Sequence, residues 1–368
     1  MDLKFWQKNK ESFLKTVIIA VVFGFLAGIV GQMVARVYLD PYNLALNYGL
    51  DDEKIYPRID ELKKFSGSEY DEIIGEVAEN SAKSIARLYY KKNASEDILK
   101  TLYSDADFAG NAFILTTDGW MISVSELLSK EKREIVVAVD GKIYKTEKKI
   151  VDPVTGLAFF KINGTGFSTM ALGDIYESGV GQTVLAVNSY GNTVLTHIEN
   201  LNYHTEIDIK SSDKYYDEIL LKDGLSSRYA GSVLVNYSGE IIGVVSSGKD
   251  IKTAIPVNNF KRIIPLVLRQ EKLTRPILGL DYIDLAEKEG YGQSRGAFVY
   301  KDPVRGTPAA SAGIKKGDLI SKVDGINVDK NSSLNQLILQ NNPKDRVELT
   351  LNRDGREMVV EVVLGEGK

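Results

Sequence analysis

The chain of 368 residues contains no cysteine and only two histidines, His197 and His204. Without thiols it can form no disulfide, no thiolate metal site and no cysteine nucleophile. Two imidazoles are too few for a His-rich metal centre, and neither metal nor cofactor is expected. An excess of one charge is missing as well. Forty-six basic residues stand against fifty acidic ones, and the net charge of -4 is spread along the chain. That balance gives no electrostatic footprint for nucleic acid. Neither a repeat of about 20–50 residues nor a low-complexity tract is present. A chain of this length has room for roughly two or three domains, each with its own core.

One stretch lacks charge of either sign. Residues 16–35 are mostly Val, Ile, Ala, Phe, Leu and Gly. Twenty helical residues rise about 30 Å, the thickness of a bilayer's hydrocarbon core. A cleaved signal peptide would have a shorter apolar run and an Ala-x-Ala site, and a soluble helix would have a polar face. The expectation is a transmembrane helix at 16–38, between a cytoplasmic tail at 1–15 and a juxtamembrane linker at 39–70. Lys4, Lys8, Lys10 and Lys15 outnumber Asp2 and Glu11 before the span. The positive-inside rule then puts the N-terminus in the cytoplasm and the bulk of the chain outside, in a periplasm or at the cell surface.

Beyond the linker, Ile73, Ile74 and Val77 fall at helical spacing, and residues 84–90 alternate like a strand. Residues 110–268 are short apolar-alternating runs punctuated by Asp-Gly, Asn-Gly and Ser-Gly, a rhythm of barrels or sandwiches rather than βαβ units. Within this region, 225–247 reads as a hairpin. Leu234 and Val235 carry one strand, Ser238-Gly239 the turn, and Ile241 to Val245 the other. A short closing helix is expected at 259–268 and a hinge at 271–276. Residues 277–366 change character, with a Gly-rich loop, an Ala-rich helix at 308–312, a longer helix at 333–341 and closing strands.

Several blocks resemble the HtrA family of trypsin-like serine proteases. Arg228-Tyr229-Ala230-Gly231-Ser232-Val233-Leu234 lies where that family has Gly-Asn-Ser-Gly-Gly-Pro-Leu. Gly110-Asn111-Ala112-Phe113-Ile114-Leu115 and then Gly119-Trp120-Met121-Ile122-Ser123-Val124-Ser125 resemble the strands before the family's histidine. Asp152-Pro153-Val154-Thr155-Gly156-Leu157-Ala158-Phe159-Phe160-Lys161-Ile162 resembles the block that holds its aspartate. Leu172-Gly173-Asp174, Val180-Gly181-Gln182 and Ala254-Ile255-Pro256-Val257 match further marks of the fold. At the C-terminus, Gly306-Thr307-Pro308-Ala309-Ala310-Ser311-Ala312-Gly313-Ile314 through Gly317-Asp318-Leu319-Ile320, with Val323-Asp324-Gly325 and Arg353-Asp354-Gly355, resembles a PDZ domain.

The resemblance implies a mainly β chain, with a trypsin-like double barrel at 71–270 and a PDZ domain at 276–366 after the N-terminal transmembrane helix. It also implies that the three catalytic places hold the wrong residues. Glu126 stands where the imidazole belongs, Gly156 where the carboxylate belongs and Ala230 where the hydroxyl belongs. Serine hydrolysis needs a nucleophile, a base and a group orienting that base, and this set supplies none of them. The plain reading of Glu126 is a solvated residue opening a short helix beside Ser125. The PDZ resemblance implies a carboxylate-binding loop at Leu278, Gly279 and Leu280, with Leu334, Leu337 and Ile338 lining a pocket for an apolar terminal side chain. Partners would be peptide C-termini or unfolded proteins, and the assembly a homotrimer or a mixed trimer. The function implied is that of an extracytoplasmic pseudoprotease, in envelope protein quality control or in regulating an active relative. The alternatives are an endopeptidase using Ser232 or Ser227 with His197 or His204, and a structural scaffold of the envelope.

Overall fold

The computed structural model describes residues 17–24, 27–28, 68–93, 96–129, 134–204, 208–286, 288 and 295–367. The chain divides into two compact units, Met1–Glu72 and Ile73–Lys368. Of the expected membrane helix, residues 17–24 and 27–28 are helical, and Val17, Ile18, Ile19, Val21, Val22 and Phe23 are exposed. The rest of 16–38, the tail and nearly all of the linker lie outside the described residues. Among the described residues no helix is long and apolar enough to cross a membrane.

Helix α1 (Ser68–Ala82) lays Ile74, Val77 and Ala82 against the main core while Ile73 stays exposed. The first closed barrel follows: β1 (Ile85–Tyr90), β2 (Phe108–Ile114), β3 (Trp120–Val124), β4 (Ile135–Val139), β5 (Lys142–Asp152) and β6 (Leu157–Ile162). Closure leaves no unpaired edge. Every residue of β3 is buried, whereas β5 (KIYKTEKKIVD) is largely exposed and is held by pairing with β4 and β6. Short helix α2 (Ile98–Thr101) bridges β1 and β2, and α3 (Ser125–Ser129) follows β3.

The second closed barrel takes β7 (Thr183–Val187) and β8 (Thr193–Tyr203), passes through the two-residue β9 (Lys210–Ser211), and resumes with β10 (Glu218–Ser226), β11 (Val233–Val235), β12 (Ile241–Val245) and β13 (Asp250–Pro256). The hairpin read from the sequence is β11–β12. Its turn carries Gly239 at φ +75°, the left-handed geometry that favours glycine. The closing helix is shorter than its apolar pattern: 3-10 turns at Val257–Asn259 and Lys261–Ile263 precede α4 (Ile264–Arg269). Both barrels share one continuous core.

The last module has its own core. It comprises β14 (Arg275–Ile277), β15 (Asp281–Asp284), β16 (Ala297–Val299), α5 (Pro308–Ser311), β17 (Leu319–Val323), β18 (Ile326–Asn327), α6 (Leu334–Leu339), β19 (Arg346–Arg353), β20 (Arg356–Val363) and β21 (Gly365–Gly367). The sequence pattern does not foresee the outer strand of its main sheet. The order runs β20-β19-β17-β16-β15-β9, so a piece of the second barrel's chain adds itself antiparallel to β15. A buried ion pair also ties module to barrel, since the Arg275 guanidinium meets the Asp152 carboxylate, which also accepts from the Thr155 hydroxyl.

Candidate functional site

Three segments converge below the turn at 227–231. Asn111 on β2 is fully buried, and its side chain holds the turn from beneath. Its amide nitrogen donates to the carbonyls of Arg228 (2.8 Å) and Ala230 (3.0 Å), while its oxygen accepts from the backbone N–H (3.1 Å) and hydroxyl (2.6 Å) of Ser189. The Asn111 N–H donates to the Ala230 carbonyl at 2.9 Å as well. Ser123 at the end of β3 donates to the Asn111 carbonyl at 2.6 Å. Gly231 closes the junction at φ +73°. A Cβ there would lie 2.4 Å from the Asn111 carbonyl oxygen and 2.5 Å from Ser123 Oγ, so only glycine fits.

The three places singled out from the sequence lie around this junction. The Ser125 N–H donates to the Gly156 carbonyl at 2.8 Å, which sets α3 beside the turn holding Gly156. Glu126 is exposed on the first turn of α3 and accepts from the Ser247 hydroxyl. Gly156 has φ +73°, and a Cβ there would meet no atom within 4 Å. Ala230 is buried in the main core. Its carbonyl takes the two Asn111 donors, and its N–H donates to the Ser227 carbonyl at 3.2 Å, closing the 3-10 turn Ser227–Tyr229.

Arg228 and Tyr229 part company at this turn. Tyr229 is buried, and burial pushes its phenol above the ordinary tyrosine value. Arg228 points outward to the Asp105 carboxylate at 2.9 Å, and the Tyr190 hydroxyl donates to the same carboxylate at 2.9 Å. The Arg228 hydrogen bond, then that of Tyr190, hold Asp105 below the ordinary carboxylate value. Arg87 covers the other part of this cluster, 4.6 Å above the Tyr190 ring centre.

The residues of the displaced arrangement lie apart in the chain's elements, with Ser227 exposed at the start of the 3-10 turn. Ser232 is fully buried, and among the described residues its hydroxyl has no hydrogen-bond partner and so no base beside it. His197 is exposed on β8 opposite Thr183 of β7. His204 follows β8 and places Nε2 3.0 Å from Lys210 Nζ.

In the C-terminal module, Leu278, Leu280, Leu334, Leu337 and Ile338 all belong to the buried core. Gly279 has φ +80°, and a Cβ there would strike the Thr307 side chain at 2.5 Å. What this loop presents is therefore backbone. The N–H groups of Leu278 and Gly279 donate to one Asp213 oxygen at 2.8 and 3.1 Å, and that of Leu280 donates to the Ser212 hydroxyl at 3.2 Å. Neither Asn111 nor Asp213 stands out in the sequence. An asparagine inside an apolar strand is the one local signal for Asn111; Asp213 lies in a polar loop and gives none.

Two barrels sharing a core and meeting at this turn, followed by a module with a carboxylate-accepting loop, define a trypsin-like protease fold joined to a PDZ domain. The PDZ domain family matches residues 276–364. The chain is 25% identical to the "Serine protease Do-like HtrA" of Lactobacillus helveticus, covering 97% of both chains. It is 29% identical to the "Probable periplasmic serine endoprotease DegP-like" of Halomonas elongata over 70% of this chain, but spans only 56% of that longer relative. Among solved structures, "HtrA-type protease AlgW with decapeptide" matches at a TM-score of 0.57, with 21% identity and coverage of 79% of this chain and 98% of that one. "HtrA-type protease AlgW with tripeptide" gives a TM-score of 0.59 at 20% identity, over 80% of this chain and 97% of that one. The chain is thus similar to the HtrA/DegP proteases along nearly its whole length, and it carries their trypsin-like fold and PDZ domain.

Proposed function

We propose that this member is a pseudoprotease. It would bind peptide C-termini or unfolded protein through its PDZ domain, in envelope quality control or as a regulator of an active relative. The observation that carries the proposal is Ala230 and its backbone. A methyl group cannot attack a carbonyl, and the N–H that the family's turn would offer to an oxyanion is spent on Ser227. Glu126 offers an acceptor where a titrating imidazole is needed, and Gly156 has no side chain to orient one. Loss of triad members costs on the order of 10^4–10^6 in kcat, and the losses do not add.

The exposed apolar helical residues at 17–24 support an N-terminal anchor, and the DegP-like relatives described as periplasmic support an extracytoplasmic setting. The domains proposed are a cytoplasmic tail, a single span, a linker, the protease-fold domain at 71–270 and the PDZ domain at 276–366. The assembly proposed is a homotrimer, or a mixed trimer with an active relative. Apolar side chains around the loop favour ligands ending in Val, Leu, Ile or Phe.

The test is an array of peptide C-termini probed with the full chain, run beside an unfolded-casein assay. The reading expects selection of apolar termini over those ending in Asp or Lys, loss of binding on amidation, and no casein turnover. Casein cleavage abolished by Ser232→Ala or Ser227→Ala would establish an endopeptidase instead. Indifference to the terminus would leave an envelope scaffold.

A further inference from the structure

We propose that residues 210–213, Lys-Ser-Ser-Asp, are a built-in ligand of the PDZ groove, which an external peptide must displace. Three independent features of a bound peptide are reproduced by this segment. First, it extends the sheet as a peptide would. Ser211 pairs with Asp281 and Lys210 with Tyr282, antiparallel, and the Ser212 N–H donates to the Leu280 carbonyl at 3.0 Å. The chain therefore runs along β15 with its C-terminal end toward the loop at 278–280. Second, a carboxylate lies at that end. One oxygen of Asp213 accepts from Leu278 N (2.8 Å), Gly279 N (3.1 Å) and the Ser212 hydroxyl (2.6 Å). A free C-terminus needs the same pair of backbone donors, so the two cannot bind together. Third, side chains fix the register. Lys210 is 1% exposed, with its ammonium 3.8 Å from the Asp284 carboxylate, itself 2% exposed. Asn335 on α6 donates to the Lys214 carbonyl at 2.9 Å, just past the acidic residue.

The occupant is suited to being displaced. Ser211, Ser212 and Asp213 carry no apolar side chain, so a peptide ending in a large apolar residue adds burial that the segment lacks. The covalent tether supplies a high local concentration instead. The apparent affinity of an external peptide is then its intrinsic affinity scaled by the fraction of chains with the groove open. Acidic segments inside a chain, and not only C-termini, become a chemically admissible class of ligand.

This inference rests on the PDZ groove being a peptide site, and the test separates the two claims. Hydrogen–deuterium exchange of the full chain reads the fragment covering 277–283, and fluorescence anisotropy reads a labelled decapeptide ending in Val, as free acid and as amide. The unmodified chain should protect 277–283 with no peptide added. Asp213→Ala should raise exchange there and tighten the free-acid peptide by about tenfold or more. Asp213→Asn, which keeps a neutral acceptor, should fall between. Rapid exchange at 277–283 in the unmodified chain would overturn the built-in ligand. So would an Asp213→Ala chain with unchanged exchange and unchanged affinity. Raised exchange in Asp213→Ala with no preference for acid over amide would uphold the built-in ligand, and the C-terminus reading alone would fall.

Discussion

Ala230 and Asp213 mark two places where a trypsin-like protein with a PDZ domain would handle a peptide, and the chain fills each with itself. At Ala230 the filling is buried and fully cross-bonded. Asn111 is enclosed, Tyr229 is turned into the core, and the amide of Ala230 closes its own 3-10 turn. At Asp213 the filling is a short segment, with Lys210 and Ser212 buried and Ser211 and Asp213 half-buried, held by backbone hydrogen bonds, one carboxylate and one ion pair. The first is built on residues of the folded core, Tyr229 and Ala230. The second is a local contact whose loss exposes a few backbone amides and uncovers the Lys210–Asp284 ion pair, without opening either core. On the two proposals made above, substitution closes the first site and competition closes the second.

The sharpest way to break that comparison is at Asn111. Asn111→Ala strips the Arg228 carbonyl and the Ser189 N–H and hydroxyl of a shared partner, while the Ala230 carbonyl keeps its bond from the backbone N–H of residue 111. Orphaned buried polar groups of this kind cost about 1–3 kcal/mol each, so a loss of about 3 kcal/mol in urea unfolding is expected. A loss below about 1 kcal/mol would mean that the turn is held by something else.

Gly279→Ala tests the groove from the side of its donors. A Cβ at φ +80° against Thr307 is both strained and crowded, which costs about 1–3 kcal/mol. The expected result is a lower melting transition for the PDZ domain, faster exchange at 277–283 and loss of peptide binding, with the barrels' transition unmoved. An unchanged peptide affinity would move the carboxylate site away from this loop.

The smallest effect is expected at the exposed cover of the first site. Asp105 titrates below its ordinary value because Arg228 and Tyr190 hydrogen-bond its ionised form. A depressed acid contributes stability above its unfolded value and loses it as pH falls through the folded one. With both side chains exposed and screened, the contribution is small. NMR titration of the Asp105 carboxyl should give a midpoint below the ordinary aspartate value, moving up in Arg228→Ala with little change in melting temperature. An unmoved midpoint would assign the shift to another group.

How much of this was legible in the sequence depended on how local each feature is. The hairpin around Ser238-Gly239, the Ala-rich helix of the PDZ domain and most barrel strands carry their signal within a few residues, through alternation and turn chemistry. β5 hid because its long polar run is ordered by neighbours on both sides rather than by burial of its own face. Ala230, Glu126 and Gly156 could be located from their flanks, but what their surroundings do could not. That Tyr229 turns in and Arg228 turns out depends on Asp105, 123 residues away from Arg228. Strand β9 was invisible, because two polar residues form a strand only where β15 offers an edge. Asp213 was invisible for the same reason, since its role is defined by a loop 65 residues further on.

The central claim is that this scaffold has no activated hydroxyl. The most direct measurement is the intact mass of the full chain after prolonged incubation with a fluorophosphonate serine probe, compared with an active trypsin-like protease treated in parallel. The account predicts complete modification of the control and an unchanged mass here. A single stoichiometric adduct, mapped to any serine and removed by its alanine substitution, would contradict it.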